Sequence, residues 1–319
     1  MQIRYLKSGI CNRPHQYYSL KHWKVLLFIC VVVLSMLTCL SFLFDRKYKP
    51  ALCYNSKGKP LKKDCFGGWF YYPKTAEKNA EFAKAHHWNY VLFSSSVKTE
   101  EDRERLISNV LAFRKQNIAV HLMCLESTSY IDNPISAYKE IAGILKFVNE
   151  HNLDIQGIHT DCEPHAREDW KKASPEEKNK IFENYLKVIE YGRKAINELR
   201  PKTAYSGAVA WWYARLSMNN ELQNGRGYDL VNEERFDFIM PMIYDGAGGS
   251  VEDLVDKSRD YIMDGAATVI GIAVNDYDYG KFYEVINKIK QIRCESSNSD
   301  YFNGFSVFAN ILYPDWEDY

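Results

Sequence analysis

Ile155-Gln-Gly-Ile-His-Thr-Asp-Cys-Glu-Pro-His165 is the stretch on which the reading of this chain turns: a short apolar run ends in a cluster of ionisable side chains. It predicts a β-strand over residues 155–163, flanked by amphipathic helical segments at 135–151 and 175–199. Side chains alternate faces along a strand, so His159, Asp161 and Glu163 project to one side while Thr160 and Cys162 face the other. Packing alone does not account for three ionisable groups on one face, because a buried carboxylate without a partner costs several kcal/mol or gives up its charge.

Working outward, the same layout recurs. Strand candidates fall at residues 67–72, 89–95, 118–124, 204–212, 236–244, 267–274 and 303–309, with further helical candidates at 76–87, 100–116, 250–263 and 280–293. Eight strands alternating with helices over roughly 250 residues predict an α/β fold, a (β/α)8 TIM barrel over residues 66–319. A doubly wound open sheet shares the alternation but calls for a Gly-rich phosphate turn after its first strand, and Gly67-Gly-Trp-Phe-Tyr-Tyr-Pro73 is not one.

In a barrel of this kind the chemistry sits at the C-terminal strand ends. Trp211, Trp212 and Tyr213 close strand five, where aromatic faces suit stacking on sugar rings or an interface. Glu126 beyond strand three, and Asn275, Asp276 and Asp278 beyond strand seven, are read either as cleft residues or as solvated loop residues. Trp69 and Tyr71 on strand one are read as core.

The segment Gln156-Gly-Ile-His-Thr-Asp-Cys-Glu163 resembles the strand-four signature D-G-x-D-x-D-x-E of the chitinase-like family-18 glycoside hydrolases, with the last Asp and the Glu kept. Met242-Ile-Tyr-Asp245 on strand six resembles that family's M-x-Y-D. The resemblance implies a glycosidase acting on an amino-sugar-containing glycan. Glu163 would be the general acid, Asp161 would orient and charge-stabilise the 2-acetamido group that serves as internal nucleophile, and Tyr244 would hydrogen-bond the same group, with Asp245 beside it. Trp211, Trp212, His159, Glu126 and Asp276 would complete the substrate contacts. The sequence departs from the pattern at Gln156 and His159, which stand where the family has Asp, and at strand eight, where 305–309 holds no Trp. Two other readings use the same residues: a metal-dependent hydrolase with His159, Asp161 and Glu163 as ligands, or a catalytically inactive carbohydrate-binding barrel. The glycosidase reading calls for no cofactor and no metal.

The whole chain balances 41 basic against 41 acidic residues, with 46% hydrophobic and 14% aromatic composition, which excludes a disordered or collagenous protein. The balance is uneven along the chain. Residues 1–24 carry Arg4, Lys7, Arg13, Lys21 and Lys24 and no acid, and residues 25–44 carry no charge. From Asp45 onward the net charge is −5, so the folded part has no electrostatic reason to bind nucleic acid. Twenty uncharged residues at 25–44 match the length of a transmembrane helix and exceed the apolar core of a cleaved signal peptide. The expected organisation is a basic cytoplasmic tail (1–24), an anchor (25–44), a stalk (45–65) and an extracytoplasmic barrel, a single-pass type II arrangement whose membrane partner is the 25–44 segment. Cys53 and Cys65 bracket a polar stretch that either closes as a disulfide loop or holds two free thiols.

Overall fold

The computed structural model describes residues 65–71, 74–243, 250–264, 266–274, 279–295 and 302–319. Strands β1 (Cys65–Phe70), β2 (Tyr90–Ser94), β3 (Ala119–Cys124), β4 (Gly157–Thr160), β5 (Ala204–Ala210), β6 (Phe238–Met242), β7 (Thr268–Ala273) and β8 (Phe302–Phe308) pair in sequence order. All pairs are parallel and β1 meets β8, so the sheet closes as a barrel. The helices that jacket it are α1 (Ala76–Ala85), α2 (Glu100–Lys115), α3 (Ile135–Glu150), α4 (Pro175–Leu199), α5 (Tyr213–Met218), α6 (Val251–Met263) and α7 (Tyr279–Glu295).

Local chemistry sets the helix starts. Thr99 accepts the Asp102 amide at the start of α2, and Ser174 and Glu177 form a reciprocal capping box on α4, satisfying amides that have no partner within the helix. Alternation along the strands then divides the apolar residues into two cores. Trp69, Tyr90, Leu92, Met123, Phe238, Met240 and Met242 fill the barrel interior, while Val91, Phe93, Leu122, Ile158, Tyr205 and Val307 pack outward against the helices. Gly157 belongs to the interior layer because a Cβ there would collide with the His121 ring.

Two differences from the sequence reading have physical causes. Strand five stops at Ala210, since Trp212 already takes helical angles (φ −85°, ψ −7°) and caps α5, burying Tyr213 as its first residue. Strand four ends at Thr160 although the chain continues extended to Glu163, with the Asp161 amide still bonded to the Cys124 carbonyl at 3.1 Å. Beyond β8 the described chain makes 3-10 turns at Asn310–Leu312 and Trp316–Asp318. Tyr313 and Trp316 meet Phe82 of α1 edge-on, with ring centroids 5.3 and 5.0 Å apart, and His86 meets Asp315 at 3.0 Å.

Among the described residues no helix is long and apolar enough to cross a membrane. The expected tail, anchor and nearly all of the stalk lie outside the described residues. Cys65, assigned to the end of the stalk, instead opens β1 and is disulfide-bonded. Cys53, the partner in the disulfide-loop alternative, lies outside them too. Cys124 and Cys162 are buried free thiols.

Candidate active site

The C-terminal ends of β1, β3 and β4 bring together Tyr71, Glu126, Asp161 and Glu163. Tyr71 follows the last residue of β1, and its hydroxyl donates to Asp161 Oδ2 at 3.3 Å and lies 3.8 Å from Met123 Sδ. Its backbone is held by Asn310, whose side chain accepts from the Tyr71 amide at 2.6 Å and donates to its carbonyl at 2.9 Å. Burial and the charges of Asp161, Glu126 and Glu163 keep the Tyr71 phenol protonated far beyond its ordinary range. Tyr71 is therefore not core, as its strand position was read, but part of the rim. The rule that placed Asp161 and Glu163 there, that strand ends carry the site, applies equally to the end of strand one.

Asp161 is pushed up to about 6, first by desolvation and then by the charge of Glu126, while the Tyr71 hydrogen bond pulls the other way. Glu126 is exposed at its outer edge, yet desolvation of its carboxyl by the strand ends raises it, offset in part by Ser94, whose hydroxyl donates to Oε1 at 3.0 Å. Glu163 lies half-buried beside His165, with Oε2 and Nε2 3.6 Å apart. Burial drops His165 to about 4, so at neutral pH it is uncharged and this contact is not an ion pair. The other His165 nitrogen and the Tyr213 hydroxyl form a 2.8 Å hydrogen bond that fixes the ring.

His159 does not join this group. Its side chain is fully buried one layer below, its Nδ1 is 2.9 Å from the Ser206 hydroxyl, and its ring meets Trp69 edge-on. Burial lowers it to about 3, with His121 adding to the effect, so it is a neutral interior residue. Among the described residues no three His, Cys, Asp or Glu side chains are placed to hold a metal, so His159, Asp161 and Glu163 do not form the ligand set that the metal reading requires.

The two tryptophans part company. Trp212 stands 4.9 Å from the His165 ring, close to Glu163. Trp211 carries Lys257 and Arg215 over its ring at 4.6 and 5.2 Å, Arg215 being itself paired with Asp256 and Asp260 of α6, and meets Trp212 edge-on with centroids 5.4 Å apart. Phe308, at the end of β8, sits edge-on to both Trp69 and Tyr71 with centroids 6.1 and 5.9 Å apart and presents an aromatic face at the rim. Tyr244, Asp245 and Asp276 lie outside the described residues.

No protein-family model matches the sequence, and no curated protein matches it. The fold does match solved structures. An exo-β-1,4-mannosidase from Opitutaceae bacterium strain TAV5 aligns with a TM-score of 0.57 and 11% identity, over 85% of this chain and 57% of its own. A β-glucuronidase from Bacteroides uniformis aligns at 0.54 and 11% identity, over 79% of this chain and 31% of its own. A GH18 chitinase from Pseudoalteromonas aurantia aligns at 0.52 and 14% identity, over 76% of this chain and 93% of its own. At such identities the likeness establishes the TIM-barrel fold alone, and it does not single out the family whose strand motifs the sequence resembles.

Proposed function

We propose that this protein is a glycoside hydrolase acting on an amino-sugar-containing glycan, with Glu163 as general acid and Asp161 as the group that orients and stabilises the sugar's acetamido substituent. The observation that carries the reading is the gathering of Glu126, Asp161 and Glu163 around the Tyr71 hydroxyl at the C-terminal strand ends, where this fold does its chemistry. The mannosidase, glucuronidase and chitinase whose barrels align with this one are glycosidases, which agrees with the reaction class.

Glycoside cleavage needs a proton for the leaving oxygen and negative charge near the developing oxocarbenium ion or its acetamido-derived equivalent. In this reading Glu163, half-buried and flanked by a neutral His165, supplies the first. Asp161, whose environment lets it change charge near neutrality, suits the second. Trp212 and Phe308 offer apolar faces to the sugar rings. Tyr244, with Asp245 beside it, is assigned the opposite side of the acetamido group on the strength of the strand-six motif. The barrel is carried outside the cytoplasm on the 25–44 anchor in this reading, and protease applied to sealed membranes digests it only from the non-cytoplasmic side.

The test is a screen of the full-length chain against amino-sugar polymers and oligomers, with reducing-end release as the readout. Release from an N-acetylated substrate that is lost in Glu163→Gln supports the reading. Binding without release points to the inactive lectin-like alternative, and release that persists in Glu163→Gln removes Glu163 as the acid.

A further inference from the structure

Tyr71 stands where the main-chain ladder has run out. The β1–β8 pairing covers Cys65–Gly68 against Gly304–Val307, and β1 itself ends at Phe70. Beyond that point both backbone groups of Tyr71 are taken by one side chain. The Asn310 carboxamide accepts the amide at 2.6 Å and donates to the carbonyl at 2.9 Å, as a residue of an antiparallel neighbour strand would. Asn310 lies 239 residues away in sequence and is fully buried, with its oxygen and its nitrogen both turned to this one residue. Fastening the segment after β8 does not require that. Tyr313 and Trp316 pack on Phe82 of α1, and the Lys74 ammonium donates to the Trp316 carbonyl at 2.7 Å. What Asn310 adds is the setting of Tyr71. The Tyr71 hydroxyl stands at the far end of a rigid ring and reaches Asp161 Oδ2 at 3.3 Å, which is long for an O–H···O bond, so a small rotation of the Tyr71 backbone is enough to break it.

We propose that Asn310 is a positioning residue for the reaction: its side-chain amide continues the sheet past the end of the β1–β8 ladder and holds Tyr71 so that the hydroxyl meets Asp161. The proposal rests on the glycosidase reading of Asp161. It makes the segment after β8 part of the active site, acting through Tyr71. Asn310 carries no charge, so its removal leaves the charges around Asp161 as they were, and a change in the Asp161 titration reports the Tyr71 hydroxyl. Trp316 is the natural control, because it ties the same segment to α1 by its contacts with Phe82 and Lys74.

The experiment is a carboxyl NMR titration of the full-length chain in detergent with 13C-labelled aspartate, the Asp161 signal being assigned by its loss in Asp161→Asn. The Tyr71 hydrogen bond favours the charged form of Asp161, so Tyr71→Phe raises the midpoint, by about one pH unit for a bond to a charged group. Asn310→Ala raises it in the same direction, and the double variant with Tyr71→Phe goes no higher than Tyr71→Phe alone, because Asn310 acts only through the hydroxyl. Trp316→Ala lowers the denaturant midpoint and leaves the Asp161 midpoint in place. Asn310→Asp is nearly isosteric and serves where the alanine variant does not fold. Its new charge acts on Asp161 with or without the hydroxyl, so only the part of its shift that vanishes in the Tyr71→Phe background counts. On a cleaved substrate, Asn310→Ala lowers kcat by about tenfold or more, and that loss also vanishes beside Tyr71→Phe. An unmoved Asp161 midpoint in a folded Asn310 variant, shifts that add in the double variant, or an equal shift in Trp316→Ala overturns the proposal. A non-additive shift in a protein that cleaves no glycan keeps the Asn310–Tyr71–Asp161 linkage and removes the glycosidase reading, whereas cleavage that Asn310→Ala leaves unchanged does the reverse.

Discussion

His159 and Asp161 stand two residues apart on the same face of one strand segment and have opposite fates. His159 lies inside the barrel, bonded to Ser206, edge-on to Trp69 and neutral at any pH near 7. Asp161, one layer up, accepts from a tyrosine hydroxyl, and desolvation followed by the charge of Glu126 pushes its carboxyl up to about 6. The difference shows where the protein's function begins. Below the rim, desolvation is met by keeping groups neutral. At the rim, a carboxyl is desolvated but still partly open to water and hydrogen-bonded, and that is the condition under which it can exchange protons during a reaction.

The sharpest way to break this comparison is at the rim. Glu163→Gln keeps the shape and much of the hydrogen bonding but has no proton to give, and is expected to lower cleavage by about 10²–10⁴-fold with an unchanged melting temperature. Turnover measured beside thermal unfolding checks both halves. The matching change in the interior is Trp69→Ala, which removes a fully buried ring from the layer beneath the site. It is expected to cost about 3–5 kcal/mol of stability, read as a lower denaturant midpoint, and a loss of under 1 kcal/mol would mean the interior layer is not packed as described.

A smaller effect sharpens the boundary between layers. Tyr71→Phe deletes the hydrogen bond that favours the charged form of Asp161, so the Asp161 midpoint rises above 6. Loss of a hydrogen bond to a charged group is expected to slow cleavage by about 1.5–3 kcal/mol in the barrier. A midpoint that falls instead would place Tyr71 outside the site.

The last prediction concerns pH and the interior alone. Burial lowers His121 to about 4 from 6.5, and neither of its ring nitrogens finds a hydrogen-bond partner among the described residues. A histidine lowered by folding favours the native state above 6.5, and that advantage is lost as pH falls toward the folded value, because only the unfolded chain takes up the proton. His121→Leu should therefore reduce the stability lost between pH 7 and pH 5 by about 2 kcal/mol. Asp161 works in the opposite sense, since its raised value favours the native state at low pH and the benefit disappears as pH rises through about 6. Denaturant titrations at the two pH values distinguish the contributions, and an unchanged pH slope in His121→Leu would show that the histidine is not held neutral.

Much of this molecule is legible in the chain itself. Period-2 and helical patterning place the strands and the long helices within a few residues, and alternation alone puts His159 and Asp161 on one face and sends Cys162 into the outer core. The errors share one cause: they concern how far along the barrel axis a residue sits and what stands across from it. Tyr71 reads as one more aromatic of an apolar strand, and only the closed barrel shows its hydroxyl opposite Asp161 from β4, 90 residues away. Trp211 and Trp212 are adjacent in sequence and indistinguishable as sugar-stacking candidates, yet the turn after β5 sends one under Lys257 and Arg215 and the other against His165.

The sequence by itself determined the element order, the parallel eight-stranded barrel and the strand end on which the ionisable residues gather, because hydrophobic period and strand alternation are local properties of the chain. Only the tertiary structure decided that His159 is interior while Asp161 is rim, that the Tyr71 hydroxyl is the hydrogen-bond partner of Asp161, and that Glu126 is held by Ser94. Charge and desolvation depend on distances between strands that are remote in sequence, and those distances exist only once the sheet has closed on itself.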